Sequence, residues 1–202
     1  MLRLSERSPL ALGTYALAAI LALFELAVLW QALHPQVPDN YRAYYIDKST
    51  TCLAQPSTGD YILGTEIDFT DKGPNTEQLR PCGWDGPSGD GVHSIGTSSR
   101  LKFAVGEKRD LTLMLELATT TIPGPAEQPV RVAANGETLS VLALRPDQTE
   151  RFTLAIPAAA ISDDGSLELE LDYPDAINPN GRTASTHWRA IRLVAASLTP
   201  QT

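Results

Sequence analysis

Apolar positions crowd into one stretch, Leu10 to Leu33 (LALGTYALAAILALFELAVLWQAL), with a single acidic residue, Glu25, inside it. As a helix this run is about 36 Å long, against a hydrocarbon core of about 30 Å. The pattern predicts a transmembrane helix over 10–33. Arg3 and Arg7 precede it, which favours a cytoplasmic N-terminus, and Trp30 suits the opposite interface. His34-Pro35 and Pro38 then stop the helix. The run exceeds the apolar core of a cleaved signal peptide, about 7–15 residues, and no A-x-A site follows. An uncleaved signal anchor is expected.

Beyond Gly59 the period changes to two, in short runs separated by turn residues. Leu111–Leu117 (LTLMLEL) and Leu167–Tyr173 (LELELDY) alternate throughout, so each puts one face in a core and the other outside. Tyr61–Phe69, Arg100–Val105, Glu150–Ile156 and His187–Leu198 read as further strands. Val130–Ala133 and Thr138–Leu144 flank Asn135-Gly136, the pair that two-residue hairpin turns favour. Pro157–Ile161 is the one helical-looking turn. The expected class is all-β, an antiparallel β-sandwich or jelly roll of some eight strands, preceded by one transmembrane helix. The chain divides into a cytoplasmic tail (1–9), the helix (10–33), a connector (34–59) holding Tyr41, Tyr44 and Tyr45, and a periplasmic sandwich (60–200).

The helix has two sides. At 100° per residue Ala11, Thr14, Tyr15, Ala18, Ala22, Glu25, Leu29 and Ala32 share a face, opposite Leu12, Ile20, Leu23 and Phe24. Small residues let helices approach closely, and an intramembrane carboxyl needs a partner. Ala11, Tyr15, Ala18, Ala22, Glu25 and Leu29 are therefore the candidate contact with an integral membrane subunit. The opposing reading has Glu25 protonated or snorkelling among incidental alanines.

Charge narrows the partners. The chain carries a formal −8, and an acidic domain repels phosphate backbones, so no nucleic-acid role is expected. Of the two cysteines, Cys52 and Cys82, an exported domain would make a disulfide, worth about 3–4 kcal/mol for a loop of that size. Two buried thiols are the other reading. His34, His93 and His187 have no metal-ligand spacing, and no cofactor is expected. The outward Glu168, Glu170 and Asp172 form either a solvated acidic ridge or a cation site.

The densest unusual segment is Pro81–Gly96 (PCGWDGPSGDGVHSIG). Trp84, Asp85, Asp90 and His93 make it a candidate ligand loop. Asp85 and Asp90 could hold calcium with backbone carbonyls. Trp84 could stack on a sugar ring or plug one end of the sandwich. A triad of His93, Ser94 and an aspartate lacks the order and context of known ones, and no catalytic residue is assigned.

LGTEIDF (63–69), GWDGPSGDGVHSIG (83–96), RLKFAV, DLTLMLEL, the VRVAANGETL hairpin, FTLAIP, GSLELELDYPDAINP (165–179) and RAIRLVAASLTP follow one another in an order that matters. It resembles a β-sandwich module attached to bacterial membrane glycosyltransferases and phosphoglycerol transferases. His93 stands where that module carries an aromatic before serine. The resemblance implies a jelly-roll-like domain that helps to handle envelope glycans. Three functions compete. The first is a non-catalytic accessory subunit of a larger complex in the bacterial inner membrane, an energy-transducing respiratory or photosynthetic complex being one form. The second is a glycan-binding accessory of envelope polysaccharide synthesis or export. The third, a tethered hydrolase, has no motif behind it.

Overall fold

A computed structural model describes residues 9–34, 37, 41, 59–120, 127–178 and 188–201, with side chains from residue 13 onward. The chain forms two units, Met1–Val37 and Pro38–Thr202. The first contains helix α1, Pro9–Leu33. Its segment Gly13–Leu33 is long and apolar enough to cross a membrane, and none of it is buried within the chain. The helix is apolar all round, as a membrane span is, so its two sides differ in side-chain size more than in polarity. His34 closes the helix: its amide donates to the Trp30 carbonyl at 3.0 Å, and its ring stacks on the Trp30 indole at 4.0 Å.

The second unit is a two-sheet antiparallel β-sandwich. Its strands are β1 (Ile67–Asp68), β2 (Trp84–Ser88), β3 (Gly91–Ser94), β4 (Ser98–Ala104), β5 (Leu111–Thr119), β6 (Gln128–Ala134), β7 (Glu137–Leu144), β8 (Thr149–Ile156), β9 (Ser166–Asp172) and β10 (Ile191–Pro200). One sheet has the order β2-β3-β10-β5-β8, with β1 also pairing with β10. The other has the order β4-β9-β6-β7. Strands β3 to β10 are thus dealt between the layers as in a jelly roll.

Alternation decides which face goes inside. Leu111, Leu113, Leu115 and Leu117 of β5 and Leu167, Leu169 and Leu171 of β9 are all 0 % exposed. They meet Leu101, Phe103, Val130, Val132, Leu193 and Leu198 in one core. The hairpin turn between β6 and β7 is the expected left-handed pair, Asn135 at φ 44° and Gly136 at φ 85°. Asn135 does more than turn. Its side-chain amide donates to the carbonyls of Ala160 and Ser166 at 2.8 and 3.0 Å, and its carbonyl oxygen accepts from the Glu168 amide at 2.9 Å. A short 3-10 turn, Ala158–Ala160, stands within the Pro157–Ile161 segment.

Three expectations change. Tyr61–Phe69 contributes only the two residues of β1, because Gly64 turns the chain at φ 89°. Tyr61 serves instead as a clamp: its hydroxyl accepts from the Leu198 amide at 2.9 Å, and its ring meets Phe103 edge-on at 5.3 Å. The glycine-rich Pro81–Gly96 stretch, expected as a loop, holds the β2–β3 hairpin. The terminal strand begins at Ile191, and His187 lies outside the described residues.

Candidate functional site

The β2–β3 hairpin gathers the four loop residues but commits each of them internally. Trp84 is 9 % exposed, and its indole N–H donates to the Arg100 carbonyl at 2.8 Å. It packs in the core and offers no ring face to a ligand. Asp85 pairs with Arg189 at 3.2 Å and accepts the Gly86 amide at 2.9 Å. Asp90 accepts the Ser88 hydroxyl at 2.7 Å and pairs with Arg192 of β10. His93 Nε2 lies 3.5 Å from Asp90. The Ser88 hydrogen bond, and after it Arg192 and His93, hold the Asp90 carboxyl below its ordinary value. Both aspartates therefore face guanidinium groups. No group of three His, Cys, Asp or Glu placed to hold a metal occurs among the described residues.

Ser94 is a structural hub. It is 0 % exposed, and its hydroxyl oxygen accepts the amides of Ala190 and Ile191, both at 3.0 Å. A buried oxygen engaged by two amides is not presented as a nucleophile. Cys82 is buried; Cys52 lies outside the described residues. On α1, Tyr15, Ala18, Ala22, Glu25 and Leu29 are exposed, whereas the side chain of Ala11 is outside the described set. No described side chain pairs with Glu25.

The acidic ridge is matched by arginines. Glu168 bonds Arg100 at 2.6 Å, Glu170 lies 3.6 Å from the same guanidinium, and Asp172 pairs with Arg131. Register explains this: Arg100 lies opposite Glu170 on the β4–β9 ladder, and Arg131 opposite Asp172 on the β6–β9 ladder. This charged ladder borders a groove of about 560 Å³ on the four-stranded sheet. Pro129, Val141 and Pro174 supply apolar surface, while Thr97, Ser98, Arg131, Glu170 and Asp172 supply polar groups. Val141 is 63 % exposed there. Mostly apolar walls with a few placed polar groups are the usual make-up of a small-molecule site. The sequence shows Asp172 as an outward position; nothing in it shows that Arg131 is its neighbour.

No family model matches this chain, and no curated protein matches it. Solved structures give loose likenesses. A family 35 carbohydrate binding module from an environmental isolate is 16 % identical over 54 % of this chain and 72 % of that one, with a TM-score of 0.32. The carbohydrate-binding module CBM36, solved with calcium and xylotriose, is 12 % identical over 67 % of this chain and 99 % of that one, with a TM-score of 0.39. A family GH115 4-O-methyl-alpha-glucuronidase with specificity for decorated arabinogalactans is 13 % identical over 74 % of this chain, with a TM-score of 0.43. The chain spans 19 % of that enzyme. At such identities and scores, ligand and activity stay with those proteins.

Proposed function

We propose that this chain is a non-catalytic, single-pass accessory subunit of a larger membrane complex. In this reading α1 crosses a bacterial inner membrane with its N-terminus in the cytoplasm, and the sandwich works in the periplasm. The observation that carries it is Glu25. A carboxyl inside a 21-residue apolar span, beside Ala18 and Ala22 and without a partner among the described residues, is costly in hydrocarbon. A neighbouring helix that offers a hydroxyl, a carbonyl or a basic group removes that cost, and the small residues let it come close.

The test is purification of the full chain in mild detergent with mass spectrometry of what accompanies it. Glu25→Leu is expected to lower the recovered partner at least tenfold, with Glu25→Gln retaining part of it. Unchanged recovery with Glu25→Leu, or a monodisperse monomer in the wild type, would falsify the reading. An oxidising compartment also accounts for the cysteines: the buried Cys82 is not a free thiol, and Cys52 is the other cysteine of the sequence. Non-reducing peptide mapping is expected to recover a linked Cys52–Cys82 pair, and Cys52→Ser is expected to cost about 3–4 kcal/mol. Recovery of both cysteines as alkylated thiols would refute the pairing.

A second reading, glycan binding, rests on the groove. Pro129, Val141 and Pro174 suit the apolar face of a sugar ring, and Ser98, Arg131 and Asp172 suit its hydroxyls. The resemblance to modules of envelope glycosyltransferases points the same way. Titration of the full chain, held in a detergent that contains no sugar, with neutral envelope oligosaccharides is expected to show saturable binding. Val141→Asp should weaken it about tenfold by putting an unpaired charge on the ring-facing surface. Binding indifferent to Val141→Asp would remove the groove from consideration.

A further inference from the structure

Sheet edges expose unpaired backbone donors and acceptors, and proteins normally blunt them with prolines, bulges, charges or covering segments. Most edges here are treated in that way. β1 has two residues. β2 contains Gly86 and Pro87 and pairs irregularly between Trp84 and Pro87. β4 is bridged along its outer side by Asp60 and Cys82. β7 is bulged at Leu139, since Val132 faces Ser140 while Ala133 faces Thr138.

β8 is the exception. It pairs with β5 in one unbroken register, from Thr149 opposite Ala118 to Ile156 opposite Leu111. Its sequence, TERFTLAI, holds no proline, glycine or lysine. On its other side no strand pairs with it among the described residues. Every residue from Thr149 to Ala155 is at least partly exposed, including the core-packed Phe152 and Leu154.

The charges on β8 are already answered within the chain. Arg151 bonds Glu116 at 2.6 Å on the neighbouring β5, and Glu150 bonds Arg145 at 2.7 Å. A chain of net charge −8 repels its copies over most of its surface, and this edge is a place where that repulsion is locally cancelled.

We propose that β8 pairs with β8 of a second copy, antiparallel about a two-fold axis at Thr153, joining two six-stranded sheets into one. A two-fold normal to the sheet keeps side chains on their own faces, so a residue must face its own equivalent. Centring on Glu150 or Arg151 would oppose like charges. Centring on Thr153 sets Phe152 against Leu154 of the second copy, and Arg151 against Ala155. Each half-buried apolar side chain then gains an apolar neighbour. The inference goes beyond the accessory role and does not depend on it.

Self-opposed residues in an antiparallel pair have Cα atoms about 4.5–5.5 Å apart, within reach of a disulfide. The full-length Thr153→Cys chain, oxidised in detergent, is expected to run mostly as a reductant-sensitive dimer. Ala155→Cys, which faces position 151 in this register, is expected not to cross-link. Thr153→Lys should weaken the dimer at least tenfold in sedimentation equilibrium while leaving the melting curve of the sandwich in place. A wild-type chain monomeric at all concentrations would overturn the proposal. So would a dimer insensitive to Thr153→Lys and not captured through Thr153→Cys, as copies meeting through α1 would give. Capture of a different protein at position 153 would overturn it as well.

Discussion

Alanine at Gly83 is expected to cost the sandwich about 2–5 kcal/mol, a large share of a typical domain's stability. The residue has φ 82°, a left-handed conformation that charges any other L-residue about 1–2 kcal/mol. The site is also closed. A Cβ would lie 2.4 Å from Ser99 Cα and 2.5 Å from the Ser98 carbonyl oxygen. Those atoms are the backbone of β4 and cannot swing aside; overpacking of this sort adds about 1–3 kcal/mol. Moving β4 would also strain the bonds anchored here, since the Gly83 carbonyl accepts the Ser99 hydroxyl at 2.6 Å and the Ile95 amide at 2.7 Å. Gly106 separates the two contributions. It too has positive φ, 74°, but an added Cβ meets nothing within 4 Å. Gly106→Ala should therefore cost only the conformational part. Urea titrations of both variants by circular dichroism test this, and equal losses would sink the steric account.

Leu115→Ala should be similarly damaging for a different reason. Leu115 is 0 % exposed and lies between Phe152 on β8 and Ala196 on β10. Truncation leaves a void between layers that are tied by ladders on both sides and cannot collapse into it. The expected loss is about 2–5 kcal/mol, or about 3 °C of melting temperature per kcal/mol for a domain of this size. Met114, one residue away, points out of the core and is partly exposed. Met114→Ala should cost under about 1 kcal/mol. A comparable loss at both positions would contradict the assignment of faces.

The parts legible in the sequence are those with a strict local period. LTLMLEL and LELELDY announced their faces because every second residue is leucine, and burial follows that count. The Asn135-Gly136 turn was legible because its chemistry sits in two adjacent residues. The site was less legible. Trp84 is a core residue because Arg100, sixteen positions on, takes its N–H. Asp90 meets an arginine 102 positions away in the chain, and Arg131 meets Asp172 across a ladder. Such pairs follow from register, which depends on all the strands together. The β2–β3 hairpin stayed hidden for a related reason: its glycines, Gly91 among them at φ 124°, read as turn residues while two of them lie within strands. Gly91 is required there because a Cβ would lie 2.4 Å from the Leu193 carbonyl oxygen of β10.

The position of β10 governs when this domain becomes a folded object. Although it is the last of the described strands, it lies inside its sheet, with β5 on one side and β3 and β1 sharing the other. Until residues 191–200 arrive, β5 has an open flank, and Leu113, Leu115 and Leu117 lack their ladder neighbours Leu198, Ala196 and Leu193 on the same buried face. A nascent chain that stops short of Ile191 therefore presents a sticky, half-built sheet. Folding must wait for synthesis of β10, and through that interval the chain depends on a chaperone or on delayed collapse to stay out of aggregates. A stop codon ahead of Ile191 would consequently remove the whole domain, not β10 alone.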